Sequence, residues 1–240
     1  MNALQRFVFE SRGGMFREFE GLTTHFKPRD VDLYRKLLPP QFGVPSQPIV
    51  TIFVADYLRV HPRPLVRYQE WSVLLKVERG DDSGYFSLTM PVTRWLPMVG
   101  GRHLGFPKYV IDEISLSTGP DGRVARARYR NLMQLTLEFR AGATRRLESW
   151  EQELAENESF FKGNNLQLVP PGRGPRATKI MLHHVIPPKW SPEPGMVRVR
   201  VNPGETWGGV VPDEAVFPGT YNHFRGGFNL VAVPLPSANV

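Results

Sequence analysis

The sequence predicts a mainly β chain with few helices, its strands largely antiparallel and either closed into a barrel or packed as two sheets. Three observations carry this. Short apolar, β-branched runs recur along the whole length. The 23 prolines and 22 glycines are spread throughout and punctuate those runs. Helical periodicity is confined to two segments. With 240 residues, 41% hydrophobic and 22% charged, the chain suits one domain covering residues 1–240.

The elements follow in order. Asp30–Leu38 is a helix: Asp30 caps it, Val31, Tyr34, Leu37 and Leu38 form an apolar stripe, and Pro39-Pro40 stops it. Strands are expected over Ile49–Tyr57, Tyr68–Val77, Gly84–Met90, Tyr109–Ser117, Val124–Tyr129, Gln134–Arg140, Lys179–Val185, Val197–Val201 and Phe224–Val233. Asp121-Gly122 reads as the turn of a hairpin. A second helix is expected over Ser149–Phe161, where Ser149-Trp150-Glu151-Gln152 fits a capping box and Gly163 follows the end. Residues 169–177, rich in proline, glycine and arginine, read as a loop.

Composition excludes several chemistries. There is no cysteine, hence no disulfide, thiolate metal site or cysteine nucleophile. Net charge is +7, but the arginines are scattered and accompany no nucleic-acid module, so a solvated basic surface or attraction of anionic substrates is expected, with no nucleic-acid partner. No apolar stretch approaches a membrane span and no secretory signal is visible, so a cytoplasmic location without membrane association is expected. His183-His184 and His223 lack a carboxylate at diagnostic spacing, and adjacent strand histidines point to opposite faces; no metal is expected. No phosphate loop or dinucleotide fingerprint is present, and no cofactor is expected.

Two segments carry candidate chemistry. In Gly100-Gly101-Arg102-His103-Leu104-Gly105-Phe106-Pro107-Lys108, a glycine-rich, proline-stiffened turn delivers one lysine to an apolar run. Strand alternation places Lys108 with Val110, Ile114 and Leu116, and Tyr109 on the opposite face. Burial would lower the lysine's pKa from its usual value of about 10.4 and yield an amine nucleophile. The alternative is a lysine that snorkels to water over its apolar neighbours. In Tyr68–Val77, Trp71, Val73, Leu75 and Val77 form a core face, and Glu70 lies on the mixed face with Tyr68, Ser72, Leu74 and Lys76. A carboxylate there can orient a substrate, move a proton or support the lysine; otherwise it is a solvent-facing edge glutamate. Trp95 and Met98 precede the lysine turn and are candidate site-lining residues.

Together these segments resemble the acetoacetate decarboxylase family. Tyr68-Gln69-Glu70 matches its Tyr-x-Glu strand motif. Gly101-Arg102-His103-Leu104-Gly105-Phe106-Pro107-Lys108 resembles its Gly-Arg-Glu, short turn, aromatic, proline and lysine, at similar spacing. Leu33-Tyr34-Arg35-Lys36-Leu37-Leu38-Pro39-Pro40 and Asn165-Leu166-Gln167-Leu168-Val169-Pro170 extend the likeness over most of the chain. The resemblance implies an antiparallel, cone-like β barrel and a homo-oligomer, with Lys108 as Schiff-base nucleophile and Glu70 as active-site carboxylate. Tyr68, Phe106 and Arg102, beside them in the motifs, are the candidate substrate-binding residues.

The implied activity is a cofactor-independent lyase that decarboxylates a β-keto acid, such as acetoacetate or a larger analogue, through an iminium on Lys108. Other members of the superfamily use the same lysine for aldol condensation and dehydration of pyruvate with an aldehyde, which is a second reading. A third is a non-catalytic barrel that binds an apolar small molecule. Three departures bear on the choice. Tyr109 stands where the family has a second lysine, so desolvation rather than a neighbouring cation would have to activate Lys108. Counting back without gaps from Leu37-Leu38-Pro39 puts Glu20 where the decarboxylase has a substrate-binding arginine; Arg17 is close by but needs a shift of register. His103 replaces the glutamate of Gly-Arg-Glu and reads as a loop histidine.

Overall fold

In the computed structural model the described residues are 15–61, 66–142, 148–151, 165–168, 179–184, 192–202, 207, 209–212, 214–228 and 230–235. The elements run β1 (Phe16–Phe26), α1 (Val31–Leu37), β2 (Val50–Val60), β3 (Tyr68–Arg79), β4 (Asp82–Val92), α2 (Trp95–His103), β5 (Lys108–Val110), β6 (Glu113–Gly119), β7 (Gly122–Tyr129), β8 (Leu132–Ala141), β9 (Asn165–Leu168), β10 (Lys179–His184), β11 (Glu193–Val201), β12 (Glu214–Phe228) and β13 (Leu230–Leu235). The strands form one curled sheet in the order β13-β10-β9-β4-β3-β2-β1-β12-β11-β8-β7-β6, with β5 on β4. Every pairing is antiparallel except two, both on β4: β5 and β9 lie parallel to it. The expected mainly β, antiparallel barrel class holds. No helix among the described residues is long and apolar enough to cross a membrane.

The sheet is covered on both faces along β1–β4. Val50, Ile52, Val54, Trp71, Val73, Leu75 and Val77 face a large apolar cluster that also takes in Leu135, Leu137, Val197 and Val199. The alternate residues Phe53, Ala55, Tyr57, Tyr68, Leu74 and Tyr85 face a second cluster, rich in aromatic rings, with Phe16, Phe19, Met90, Phe106 and Phe224. Strand alternation therefore sorts two cores out of one sequence, and the face of β3 that reads as mixed is buried from Tyr68 to Leu74, with Lys76 alone half-buried.

Local expectations fare unevenly. α1 is capped by Asp30, whose carboxylate accepts from the N–H groups of Asp32 and Leu33, each at 2.9 Å. The β6–β7 hairpin turns at Pro120-Asp121, with Gly122 opening β7 at φ +142°. The expected strand Tyr109–Ser117 is two strands, β5 and β6, broken at Ile111-Asp112. The expected strand Phe224–Val233 falls on the end of β12 and the start of β13. β1 and β9 add strands that the pattern did not call for. In the second expected helix, residues 149–151 are helical, and the Glu151 carboxylate accepts from the Glu148 N–H at 2.8 Å; the expected capping box thus starts one residue earlier, at Glu148. The remainder of that helix, and the whole of the loop 169–177, lie outside the described residues.

α2 corrects the reading of Gly100-Gly101 as a turn. The helix runs through both glycines, begins with Pro97 inside its first turn, where proline is tolerated, and then closes through Leu104 and Gly105. Gly105 takes φ +87°, which lets the chain reverse toward β5.

Candidate active site

Three strands and one helix build the site. Glu70 lies on β3 opposite Ala55 of β2 and Val92 of β4. Lys108 opens β5 on the far edge of β4, paired with Met90, while Val92 pairs with Val110. The two candidate side chains therefore start from strands separated by β4 and meet over its Met90–Val92 segment. Lys108 Nζ contacts Glu70 Oε2 directly, and both residues are buried, at 7% and 3% exposure. The snorkelling alternative for Lys108 and the solvent-facing alternative for Glu70 are both excluded by this placement. Tyr57 OH donates to Glu70 Oε1 at 3.4 Å.

Aromatic rings enclose the pair. Lys108 Nζ lies 5.7 Å from the ring centroid of Tyr68 and 5.7 Å from that of Phe106, within range of the attraction between a cation and a ring face. Tyr57 and Tyr68 stack at 4.7 Å, and Phe16 packs against Tyr57 at the same separation. Burial, reinforced by the Glu70 carboxylate, pushes both tyrosine phenols well above their ordinary value, so both remain protonated donors.

The lysine's path is shaped by α2. A Cβ at Gly101 would collide with Lys108 Cδ and stand 2.5 Å from Cε, so the aliphatic stem lies against bare helix backbone. The Phe106 N–H bonds the Gly101 carbonyl at 3.0 Å, and Arg102 Nε donates to the Lys108 carbonyl at 2.5 Å. Ile111 N–H then bonds the Val92 carbonyl at 3.0 Å, which holds the far end of β5. The glycine and arginine of the motif thus fix the backbone and stem of the lysine.

The structure brings Lys108, Glu70, Tyr68 and Phe106 together. Arg102 is exposed, with its Nε engaged on the lysine's backbone. Trp95 projects to solvent at 63% exposure, whereas Met98 packs against the aromatic cluster. Val110 shares the lysine's face as expected but is 41% exposed; Ile114 and Leu116 do not share it, because the break before β6 turns them into the large cluster. Tyr109 points away from Lys108, packing beside that same cluster against Tyr129, with its hydroxyl 3.3 Å from Thr89 Oγ1. His103 is exposed at the end of α2.

Glu20 lies on the opposite face of the sheet from Lys108. It pairs with Asp56 of β2 and accepts from Tyr221 OH at 3.1 Å, on the side of the large cluster. The gap-free count from Leu37-Leu38-Pro39 therefore marks a position on the far face of the sheet and not one beside Lys108. Asp56 beside it is bound by Arg67, with Nε–Oδ1 at 3.0 Å, and by Gln69 at 3.0 Å. Among the sequence-derived candidates Tyr57 is missing; its signal is weak, since it ends a largely apolar strand in which an aromatic residue looks like core.

Such an arrangement can form and hydrolyse a carbon–nitrogen bond: a buried primary amine, a carboxylate in contact to take its proton, and apolar walls that exclude water. Residues 11–204 match the family model described as acetoacetate decarboxylase (ADC). An acetoacetate decarboxylase structure superposes with a TM-score of 0.71 at 16% identity, covering 98% of each chain. The acetoacetate decarboxylase of Legionella pneumophila gives 0.66 at 16% identity, covering 92% of this chain and 87% of that one. The enduracididine biosynthesis enzyme MppR, in complex with pyruvate, gives 0.62 at 14% identity, covering 89% and 88%. No curated protein sequence matches. With the family model spanning most of its length and the same fold in solved members, this chain belongs to the acetoacetate decarboxylase family and is a lyase-type enzyme.

Proposed function

We propose that the chain is a cofactor-independent Schiff-base lyase that decarboxylates a β-keto acid through an iminium on Lys108. The observation that carries this is the buried contact between Lys108 Nζ and Glu70 Oε2 inside the aromatic cluster. Before attack the ammonium must lose a proton, and Glu70 is in contact to accept it. The free amine adds to the substrate ketone, Glu70 returns its proton to the departing hydroxyl, water leaves, and the iminium forms facing a Glu70 carboxylate. Its positive nitrogen is the electron sink: the bond to the carboxyl group breaks, carbon dioxide departs, and the electron pair moves to give a neutral enamine. Protonation of the enamine carbon and hydrolysis of the regenerated iminium release the ketone and the lysine. Walls of Phe16, Tyr68 and Phe106 favour each step that discharges the substrate's carboxylate. Arg17, half-buried on β1 between Phe16 and Phe19, is the candidate to hold that carboxylate before it is lost.

An aldolase–dehydratase acting on pyruvate and an aldehyde is the second reading, favoured by the likeness to MppR, whose structure holds pyruvate. Borohydride reduction in the presence of acetoacetate, larger β-keto acids or pyruvate tests both. Mass spectrometry should find the reduced adduct on the peptide carrying Lys108, and Lys108→Ala should abolish it. Carbon dioxide release then distinguishes decarboxylation from carbon–carbon bond formation. If none of these carbonyl compounds is trapped, the Schiff-base reading fails and a non-catalytic binding barrel replaces it.

A further inference from the structure

Tyr57 is larger in chemistry than its packing requires. Its ring stacks on Tyr68 and against Phe16, and a phenylalanine would fill that space equally well. The hydroxyl is another matter. Tyr57 is 5% exposed, and a phenol removed from water needs a partner. That partner is Glu70 Oε1, the oxygen that Lys108 does not use. The carboxylate is thus held from both ends, by an amine whose charge must change during turnover and by a phenol whose proton stays in place.

We infer that Tyr57 is a positioning residue for Glu70, the third member of a Lys108–Glu70–Tyr57 chain, and that it acts mainly at the enamine stage. This rests on the Schiff-base reading. While the nitrogen is an iminium, its positive charge faces Glu70. When the carbon–carbon bond breaks, the electron pair neutralises the nitrogen and carbon dioxide leaves. Glu70 is then a buried carboxylate that has lost its cation, a costly state unless hydrogen bonds remain. Among the described residues, Lys108 and Tyr57 are the groups bonded to it, while the Tyr68 ring lies beside the lysine nitrogen. Tyr57 keeps Oε1 occupied and leaves Oε2 to follow the nitrogen. At 3.4 Å the resting contact is long, and it has room to tighten when the carboxylate stands alone.

Two readouts separate the stages. Borohydride trapping on Lys108 with acetone or pyruvate reports iminium formation. Exchange of the same compound's α-hydrogens in heavy water, followed by NMR, reports passage through the enamine. Tyr57→Phe should slow exchange roughly ten- to a hundred-fold, the range lost with a hydrogen bond to a charged group, at unchanged KM and with a smaller loss in trapping. In a Glu70→Gln background the same substitution should change exchange less than about two-fold, since Tyr57 acts through Glu70. Equal losses of trapping and exchange in both backgrounds would show a structural role and overturn the inference, as would no effect in either. If the wild-type chain traps neither compound, nor acetoacetate, the Schiff-base reading falls and this inference with it. If the wild type traps and exchanges while Tyr57→Phe behaves identically, Tyr57 alone is refuted.

Discussion

Gly101→Ala is the sharpest probe of how Lys108, the proposed nucleophile, is held. In an ordinary helix the change stabilises by about 0.4–1 kcal/mol, because alanine restricts the unfolded chain more than glycine does. At this position the new methyl would occupy the space of Lys108 Cδ and Cε. The structure can yield in two ways. α2 can move outward, an overpacking cost of about 1–3 kcal/mol. Alternatively, Lys108 can swing out and abandon Glu70 in its buried place; breaking a buried pair costs about 3–5 kcal/mol. Either route outweighs the helix gain, so Gly101→Ala should lower stability by up to about 2 kcal/mol, a fall in Tm of several degrees for a chain of this size. Trapping on Lys108 should fall about a hundred-fold, as expected for a displacement of the order of 1 Å at a reacting atom. The decisive comparison is the Lys108→Ala background. With the stem gone, Gly101→Ala should turn stabilising, raising Tm by about 1–4 °C. If Gly101→Ala stabilises the wild-type chain and leaves trapping intact, the packing of the lysine against α2 is wrong.

Other expectations concern the surroundings. Arg102→Ala removes the 2.5 Å bond from Nε to the Lys108 carbonyl, loosening the start of β5. Because the arginine is exposed, the loss in urea stability should stay below about 1.5 kcal/mol, while trapping slows several-fold and Arg102→Lys fails to restore it. Tyr221 provides a pH test. Burial first, then the charge of Glu20, pushes its phenol up to about 12, against the favourable but weaker effect of Arg123. A raised phenol contributes stability fully present below its unfolded value of about 10 and lost as pH rises through 12. The urea midpoint of the wild type should therefore fall across that window more steeply than that of Tyr221→Phe; equal slopes would refute the assignment.

The paired motif was legible because both of its halves are local. Tyr68-Gln69-Glu70 sits on a strand announced by its β-branched and aromatic residues, and Lys108 follows a proline that commits the chain to an extended path. What could not be read was the company each keeps. Glu70 looked half-exposed because its face is mixed, yet β3 lies between β2 and β4 with both faces covered. α2 was hidden by Gly100-Gly101, poor helix residues whose local preference yields to the need for bare backbone beside the lysine stem. β1 was hidden by its charges and bulges. The burial of β3 and the placing of β1 rest on pairings between residues far apart in sequence, such as Tyr221 with Glu20, which no window on the chain reveals.

The strand that lies between nucleophile and carboxylate also acts as a ruler. Neighbouring strands stand about 4.8 Å apart, so β3 and β5 are separated by roughly 10 Å across β4. Glutamate and lysine, both long side chains, bridge that span between them. Aspartate at position 70 or a shortened amine at position 108 would keep the chemistry and lose the reach. The choice of residues here is therefore set as much by the spacing of hydrogen-bonded backbones as by reactivity, and a redesign of the nucleophile would have to move a strand before it could shorten a side chain.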